Sequence, residues 1–294
     1  MLILISDAFD ATLPKVLEKY GEVTDDHNRL PEAEIVLVRS KTKVTKDYID
    51  MARNLKMVIR GGVGLDNIDR IYAQDKGIIV RNTADASTTA VAEHAFALMI
   101  ALTCHINTGD QSMREGKWLK KELTRTELHG KTLGILGLGR IGLALAVRAR
   151  AFQMKVLGWH PDVYFTDWAE ILDTMEEVLE QSDYISVHMP LLPDTKGVIN
   201  KETLKRFKDG AYLINTARAG IVVEEDIVEA LKSGKLGGFA TDVWPSDPPK
   251  ERTALFDAPN TVFSPHLGAS TKENMLRIGM IIDRLIGDFV EHNS

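Results

Sequence analysis

The hydrophobic and polar positions of this chain form two kinds of segment that alternate along most of its length. Short apolar runs rich in Val, Ile and Leu are typical of strands buried on both faces, and the segments between them have the amphipathic spacing of helices. The predicted strands are 2–6, 35–39, 57–60, 78–81, 132–136, 155–159, 184–188, 211–215, 238–242 and 261–264. The predicted helices are 13–19, 46–52, 67–74, 141–152, 175–181, 201–207 and 224–233. This alternation indicates parallel sheets covered by helices on both faces, and so the α/β class.

One long segment interrupts the alternation and divides the chain. Residues 87–106 are rich in alanine and apolar on most sides, so we predict a buried helix capped by Ser87 or Thr88. A polar, charged segment, 109–129, follows, and the second alternating series starts after it. The pattern therefore predicts two α/β units of unequal size.

The composition excludes several classes of protein. The chain has 294 residues, 44% of them hydrophobic, and a formal net charge of −6, which argues against a broad nucleic-acid surface. A single cysteine, Cys104, permits neither an intrachain disulfide nor a cysteine-rich zinc site, and we expect no bound metal. The apolar start is too short and too soon acidic for a signal peptide, and no apolar run reaches about 20 residues without a charge. We expect a cytoplasmic protein whose partners include neither a membrane nor a nucleic acid.

A Gly-x-Gly-x-x-Gly sequence lies at the start of the second series, between a predicted strand and a predicted helix. In that context, Gly137 permits a tight turn, Gly139 lets the backbone approach a pyrophosphate, and Gly142 allows close packing of helix and strand. The N–H groups at the start of the helix then face the phosphates. The motif predicts a dinucleotide site, whereas a purely structural glycine turn is the alternative.

The residue that would hold the cofactor's ribose departs from the usual pattern. An acidic residue is expected about 20 residues after the glycines, at the end of the next strand, where it binds the ribose of NAD and repels the 2′-phosphate of NADP. This chain has His160 there, with Asp162 two places later and no arginine to favour NADP. We predict NAD as the cofactor.

Polar residues that suit hydride transfer follow several of the predicted strands. A 2-hydroxy acid needs a guanidinium to hold its carboxylate and an imidazole to take its proton, together with a carboxylate that orients the imidazole. Because carboxyl ends of parallel strands share one edge of a sheet, we expect His188, Arg218, Asp242, Asp247 and His266 to lie there. In the first unit, a second glycine loop runs from Arg60 through Gly61, Gly62 and Val63 to Gly64, and either binds a small anion or forms a simple turn.

Five motifs in order resemble those of the D-isomer-specific 2-hydroxyacid dehydrogenases over essentially the whole chain. They are 62–69, 128–142, 188–193, 215–220 and 265–273, and the last motif together with 38–44 is most similar to the phosphoglycerate branch of the family. The resemblance implies a Rossmann coenzyme domain, 84–269, inserted into a smaller flavodoxin-like substrate domain made of 1–83 and 270–294. Both domains would have doubly wound parallel sheets.

The resemblance also implies roles for individual residues. Arg218 orients the substrate, His266 is the acid/base, and Asp247 stands in the position of the family's catalytic glutamate, so that its shorter side chain must lie closer to His266 or act through a water. The substrate would be bound by Arg39 and by the loop from Arg60 to Gly64, with Lys120 as a further candidate for a substrate phosphate. The residues expected at NAD are Gly137, Gly139, Arg140, Ile141, Gly142, His160, His188, Pro190, Thr216, Ala217, Asp242, Gly268 and Ala269.

The expected activity is the NAD-dependent oxidation of D-3-phosphoglycerate to 3-phosphohydroxypyruvate, which serves serine biosynthesis. Two alternatives remain: a hydroxypyruvate, glyoxylate or D-lactate enzyme with the same chemistry, and a non-catalytic NAD(H)-sensing module. The helix at 87–106 and the segment after it resemble the family's dimer contact, so we expect a homodimer. The C-terminal regulatory domain of many phosphoglycerate members is not part of this sequence, and we expect no serine feedback through it.

Overall fold

The structure, a computed structural model, describes residues 1–292 and divides them into two compact units. The first unit comprises Met1–Thr88 and the residues from Ala269 onward, and the second comprises Thr89–Gly268. These units divide between residues 88 and 89 and between 268 and 269, whereas the sequence analysis placed the domain boundaries after residues 83 and 269. Each unit is a parallel sheet with its own apolar core, as expected for the α/β class.

The first unit is a five-stranded parallel sheet in the order β2-β1-β3-β4-β5. This is the flavodoxin-like strand order, and it confirms the predicted fold of the smaller unit. Its strands are β1 (Leu2–Ile5), β2 (Glu22–Thr24), β3 (Ile35–Val38), β4 (Met57–Arg60) and β5 (Ile79–Asn82). Its helices are α1 (Leu13–Leu17), α2 (Lys46–Met51), α3 (Arg70–Asp75) and, after the second unit, α10 (Lys272–His292).

Helix α10 completes the first unit although it is distant from it in sequence. Its residues Ile278, Ile282 and Ile286 recur every four positions and are fully buried, which is the spacing of one helix face. They pack in a cluster that includes Leu13 of α1 and Ile35 of β3. The final helix therefore closes one face of the five-stranded sheet.

The second unit is a seven-stranded parallel sheet in the order β12-β11-β10-β9-β6-β7-β8. Counted within the unit, this is the Rossmann order with one additional strand, and the reversal of strand order lies between β6 and β9. Its strands are β6 (Thr132–Leu136), β7 (Lys155–Trp159), β8 (Glu170–Ile171), β9 (Tyr184–Val187), β10 (Ala211–Asn215), β11 (Leu236–Thr241) and β12 (Thr261–Phe263). Its helices are α4 (Thr88–Thr103), α5 (Ile106–Arg114), α6 (Arg140–Ala151), α7 (Met175–Gln181), α8 (Lys201–Leu204) and α9 (Glu224–Ser233).

The long apolar helix differs from its prediction at its C-terminal end. The pattern predicted one helix over 87–106 and a polar segment over 109–129, but α4 ends at Thr103 and a second helix, α5, continues to Arg114. The break falls at His105, whose φ of 51° is left-handed and cannot continue a right-handed helix. Helix α4 packs on the sheet through Ala92, Met99 and other small or apolar residues. The stretch Ala84–Thr103 is long and apolar enough to cross a membrane by length and composition alone, and 61% of it is buried within the protein.

Candidate active site

The glycine motif forms the turn between β6 and α6, and its three glycines have different surroundings. Gly137 has φ +100°, and a Cβ on it would lie 2.8 Å from the carbonyl carbon of His188. A Cβ on Gly142 would lie 2.4 Å from the carbonyl oxygen of Gly137, so only glycine lets the helix pack this closely. A Cβ on Gly139, in contrast, would meet no atom within 4 Å. The open side of the turn is thus at Gly139, the position expected to approach a pyrophosphate.

The N-terminus of α6 is arranged to receive an anion. Its N-cap is Gly139, and no side chain of the described residues caps it. Arg140 and Ile141 are therefore the first helical residues of an α-helix of 12 residues whose N–H groups point toward the open side of the turn. The turn and the helix terminus fit the pyrophosphate of a dinucleotide such as NAD.

His160 lies beside this turn, at the position of the missing ribose acid. Strands β6 and β7 pair in parallel with Leu136 opposite Trp159, and the N–H of Gly137 donates to the carbonyl of Trp159 over 2.9 Å. The Nδ1 atom of His160 accepts a hydrogen bond from the N–H of Asp162 over 3.0 Å. The neutral ring therefore carries its proton on Nε2, which can donate to a hydroxyl group. The carboxylate of Asp162 is exposed, two residues beyond the end of the strand.

His188 follows β9 and contributes both its backbone and its side chain to the site. Its backbone lies against Gly137, and its Nε2 atom is 2.8 Å from the hydroxyl of Ser186. Burial lowers the pKa of His188 from 6.5 to about 4, so the ring is neutral at neutral pH. Pro190, two residues further on, is exposed.

Asn215 at the end of β10 holds the loop that carries Thr216, Ala217 and Arg218. The fully buried Asn215 side chain accepts from the N–H of Ala217 over 3.1 Å and donates to the carbonyl of Arg218 over 3.0 Å. Arg218 also donates from Nη1 to the carbonyl of Ala217 over 2.7 Å. The hydroxyl of Thr216 is buried and has no hydrogen-bond partner within residues 1–292, which suits a position that contacts a ligand. Asn215 was not among the predicted site residues, although it is a polar residue at the end of a buried strand.

Asp242 at the end of β11 is a buried acceptor that binds the segment after His266. Its two carboxylate oxygens accept from the N–H groups of Leu267 and Gly268, each over 2.7 Å, and Oδ1 also accepts from the hydroxyl of Ser264 over 2.5 Å. Burial by itself would raise the pKa of Asp242, but hydrogen bonds from His94, Ser264 and these backbone groups outweigh it and hold the pKa below its ordinary value. Asp242 therefore stays ionised.

His266 and Asp247 form a direct pair. The carboxylate of Asp247 accepts a hydrogen bond from Nδ1 of His266, so the shorter acid reaches the ring without an intervening water. His266 has a left-handed φ of 55°, an unusual conformation for a residue with a Cβ. Both side chains are partly exposed, at 40% for His266 and 39% for Asp247. The pair leaves Nε2 of the imidazole available for proton transfer.

The first unit carries the candidate substrate residues on adjacent strand ends. Arg39 follows β3, its N–H donates to the carboxylate of Asp7 over 2.5 Å, and its Nη1 donates to the carbonyl of Ala8 over 3.3 Å. Burial lowers the pKa of Arg39, and its Nε is buried without a partner among the described residues. Asn67 donates to the carbonyl of Arg39 over 2.7 Å and so ties the second glycine loop to the loop after β3.

Two of the backbone amides in the second glycine loop are not available to bind an anion. The N–H of Gly61 donates to the carbonyl of Val38 over 2.8 Å, and that of Gly62 to the carbonyl of Arg60 over 2.9 Å. A Cβ at position 61 would lie 2.5 Å from the ring of Phe9, whereas one at position 62 would meet the mobile end of the Arg60 side chain at 2.8 Å, so packing restricts position 61 more strongly. Anion binding by backbone amides would therefore fall to Val63 and Gly64. Both are more exposed than Gly61 and Gly62, and neither N–H has a partner in the described part of the chain.

Two further candidates are placed as follows. Ala269 is the first residue of the C-terminal part of the first unit, and its carbonyl accepts from the amide of Asn274 over 2.6 Å. Lys120 is exposed in the segment after α5. No group of three or more His, Cys, Asp or Glu side chains suited to a metal ion occurs within residues 1–292.

Comparison with known proteins identifies the family. Residues 96–268 match the model of the D-isomer specific 2-hydroxyacid dehydrogenase, NAD binding domain. A hydroxypyruvate reductase of Thermotoga maritima is 43% identical over 287 residues, 94% of this chain and 94% of that protein. Human D-3-phosphoglycerate dehydrogenase is 41% identical over 305 residues, and the match covers 99% of this chain but 57% of the human one. The chain thus spans a little more than half the length of that relative.

The solved structures agree with the sequence relatives. The D-lactate dehydrogenase of Aquifex aeolicus, in complex with NAD and lactic acid, superimposes with a TM-score of 0.87 at 28% identity, covering 99% of this chain and 96% of that one. The family model, the relatives and the glycine turn that fits a pyrophosphate all indicate the same family. The chain belongs to the D-isomer-specific 2-hydroxyacid dehydrogenases, a family of NAD-dependent oxidoreductases.

Proposed function

We propose that the protein oxidises D-3-phosphoglycerate to 3-phosphohydroxypyruvate and thereby serves serine biosynthesis. One observation above all supports an active enzyme over an NAD(H)-sensing module. It is the direct hydrogen bond between His266 and Asp247. A binding module has no need of an imidazole oriented by a carboxylate, whereas an acid/base catalyst does. The relatives named D-3-phosphoglycerate dehydrogenase support the choice of substrate.

His266 takes the proton of the substrate's C2 hydroxyl. Asp247 accepts from Nδ1, which fixes the tautomer whose Nε2 lone pair is available to receive that proton. The carboxylate also stabilises the imidazolium that forms, because opposite charges in hydrogen-bond contact attract strongly. The proton is thus removed as the carbonyl develops at C2.

Arg218 holds the substrate so that C2 and its hydroxyl are correctly placed. Its guanidinium offers donors in a fixed fork that suits a carboxylate and the neighbouring oxygen. The clamp by Asn215 and the bond to the carbonyl of Ala217 fix its backbone and one end of its side chain. Holding it in place in advance lowers the cost of orienting the substrate.

NAD, when bound, supplies the acceptor for the hydride that leaves C2. The residues that would hold it are the open turn at Gly139, the first residues of α6 and the site around His160 for the adenosine half. Thr216 and Asp242 would border the nicotinamide, where the buried Thr216 hydroxyl offers an unused hydrogen-bonding group.

The cations of the first unit support a phosphorylated substrate. Arg39 presents a half-buried guanidinium, and Lys41 and Lys43 are exposed on the same short loop. Asp7 and Asn67 fix the backbone of this loop through hydrogen bonds to Arg39 and Thr42. A phosphate needs such donors at the far end of the substrate, whereas glycerate and lactate do not.

The second candidate is the reduction of hydroxypyruvate. The Thermotoga maritima hydroxypyruvate reductase has 43% identity and matches the chain over 94% of both lengths. The substrate of this second candidate carries no phosphate. Whether Arg39 binds a substrate phosphate therefore distinguishes the two candidate activities.

The test is steady-state kinetics of NADH formation with D-3-phosphoglycerate and with D-glycerate. We expect Arg39→Gln to lower kcat/KM for phosphoglycerate by about tenfold or more, since a charge-assisted hydrogen bond is lost, and to change the glycerate value little. Arg53→Gln, which removes an exposed arginine of the same unit, is the matched control. Equal losses for both substrates would refute a phosphate role for Arg39, and no turnover of any 2-hydroxy acid would refute the enzyme itself.

We also propose that the protein is a cytoplasmic homodimer. The dimer rests on the apolar side chains that α5 and the following segment leave exposed, namely Ile106, Met113 and Trp118 at 55%, 57% and 73%. An exposed apolar patch marks an interaction surface when its residues lie together, and these three side chains come from one short stretch of the chain. The cytoplasmic location remains a proposal from composition, which cell fractionation would test.

A further inference from the structure

We propose that His94 is a positioning residue for the acid/base His266, acting through Ser264 and Asp242. The inference rests on the proposed function, in which His266 transfers the proton. His94 lies in the apolar helix α4, a position typical of a core residue. The structure instead assigns its ring a place in a hydrogen-bonded chain that ends at the turn carrying His266.

The direction of each hydrogen bond in the chain follows from the chemistry of the groups. The carboxylate of Asp242 can only accept, so the single hydroxyl proton of Ser264 goes to it across 2.5 Å. The oxygen of Ser264 must then accept from Nε2 of His94, which lies 2.8 Å away. The same Nε2 is 3.3 Å from Asp242 Oδ1. His94 therefore carries its proton on Nε2 and donates it toward Ser264 and Asp242 together.

Asp242, held by His94 and Ser264, in turn binds the backbone immediately after His266. Its oxygens accept from the N–H groups of Leu267 and Gly268, each over 2.7 Å. His266 itself has a left-handed φ of 55°, which costs free energy for a residue with a Cβ and persists only where neighbouring contacts hold it. The two hydrogen bonds to Asp242 supply those contacts.

Close packing places the same turn directly against helix α4. A Cβ on Gly268 would lie 2.9 Å from Asp242 Oδ2, 3.6 Å from Val91 and 3.7 Å from the ring of His94. Trp244 adds a bond from its indole N–H to the carbonyl of Ser264 over 2.9 Å. The ring of His94 is 22% exposed and Asp242 3%, so water competes little for the buried end of the chain. Loss of His94 would leave the Ser264 oxygen and Asp242 without this donor, weaken their hold on the backbone and let the His266 turn relax.

The test compares His94→Leu, which removes the donor, with His94→Gln, whose side-chain amide keeps an N–H near the position of Nε2. Hydrogen exchange of the Leu267 and Gly268 amides, measured in the free protein, reports the turn without any cofactor or substrate. We expect His94→Leu to speed that exchange and to lower kcat by about tenfold or more, since small misplacement of an acid/base is costly. His94→Gln should restore both. Glu93→Gln, a change at the neighbouring position of α4, is the control and should leave both unchanged.

Each outcome decides the proposal. It is overturned if a folded His94→Leu protein keeps wild-type exchange and kcat, or if His94→Gln is as impaired as His94→Leu, because the ring would then serve packing alone. If His94→Leu does not fold, Ser264→Ala removes the same link with a smaller change and carries the same expectation. If the wild type turns over no 2-hydroxy acid, the proposed function fails, while the exchange measurement still decides whether His94 holds the turn.

Discussion

At the scale of single residues, the most informative position is Asp247. The family's pattern has a glutamate there, and the shorter aspartate raised the question of whether its carboxylate reaches His266. The structure shows a direct hydrogen bond, because the left-handed backbone of His266 and the loop after β11 bring the two side chains together. A sequence gives the residue types and their spacing, but it does not give a local backbone conformation of this kind.

Asp247→Asn should lower kcat by about 100-fold or more, since the amide no longer selects the tautomer or balances the charge of the imidazolium. Asp247→Glu keeps the carboxylate, and we expect its kcat to stay within about tenfold of the wild type. Both values come from steady-state NADH formation. A wild-type kcat in Asp247→Asn would show that this pair does not support proton transfer.

His188 makes stability depend on pH in a predictable direction. Its pKa is about 4 in the folded protein against 6.5 ordinarily. Between these values the unfolded chain binds a proton that the folded chain does not, so the free energy of unfolding falls as the pH is lowered through this window. Replacing the ring by Gln removes that proton uptake and still leaves a partner for Ser186.

Urea unfolding of wild type and His188→Gln at about pH 7 and about pH 4.5 measures the effect. We expect the wild type to lose about 2 kcal/mol more than the variant over this interval, with allowance for the partial exposure of the ring. Equal losses in the two proteins would show that His188 is not held neutral by its surroundings.

At the scale of elements, the apolar runs predicted most strands within one or two residues, because a strand buried on both faces must be apolar throughout. The edge strands β2 and β8 were not predicted. They have three and two residues, respectively, include polar ones such as Glu22 and Glu170, and are strands only because a neighbour pairs with them. The break between α4 and α5 was also missed, because a single left-handed residue, His105, ends the helix without a change in apolar pattern.

The sequence also predicted part of the candidate site. The residues at the ends of β9, β10 and β11 were located from topology, because carboxyl ends of parallel strands share an edge. The hydrogen bonds of Asn215, Ser264 and His94 behind them were not predicted. Those of Ser264 and His94 join segments distant in sequence, and those of Asn215 depend on the local path of the loop after β10. Each of these residues is a polar one within an apolar run or directly after it, and that was the feature of the sequence that could have drawn attention to it.

The turn between β6 and α6 gives a matched pair of substitutions. Gly139→Ala adds a Cβ into open space, so we expect the free energy of unfolding to change by less than about 1 kcal/mol. The affinity for NADH should fall by about tenfold or more, because the Cβ occupies the approach to the pyrophosphate. Gly142→Ala pushes a Cβ against the carbonyl of Gly137 and should cost about 1–3 kcal/mol of stability.

Urea unfolding and fluorescence titration with NADH measure the two effects separately. Unchanged NADH affinity in Gly139→Ala would contradict the assignment of this turn to the pyrophosphate. An unchanged stability in Gly142→Ala would show that the helix can move away from the strand without penalty.

At the scale of the whole molecule, the two parallel sheets have the two doubly wound strand orders expected of a small flavodoxin-like unit and a larger Rossmann unit. The hydrophobic pattern had predicted two units, and the structure shows one chain segment, Thr89–Gly268, within the sequence of the other unit. The net charge of −6 does not exclude a local anion site, because the cations around Arg39 lie close together on one loop.

The proposed homodimer gives a prediction at this scale. Light scattering during size exclusion should give twice the 32.7 kDa of one chain. Trp118→Asp should shift the protein toward one chain, since it places a charge in the apolar contact, whereas Tyr164→Asp, at a side chain that is 84% exposed elsewhere in the same unit, should not. A monomeric wild type, or equal effects of the two substitutions, would contradict the surface.

The central claim is that the protein is a dehydrogenase for a phosphorylated 2-hydroxy acid, and one comparison tests it most directly. We would measure kcat/KM for NAD-dependent oxidation of D-3-phosphoglycerate and of D-glycerate by the wild-type protein under identical conditions. We expect the value for phosphoglycerate to be higher by about tenfold or more, because the phosphate makes a charge-assisted contact. An equal or higher value for D-glycerate would contradict it and favour the hydroxypyruvate reductase activity instead.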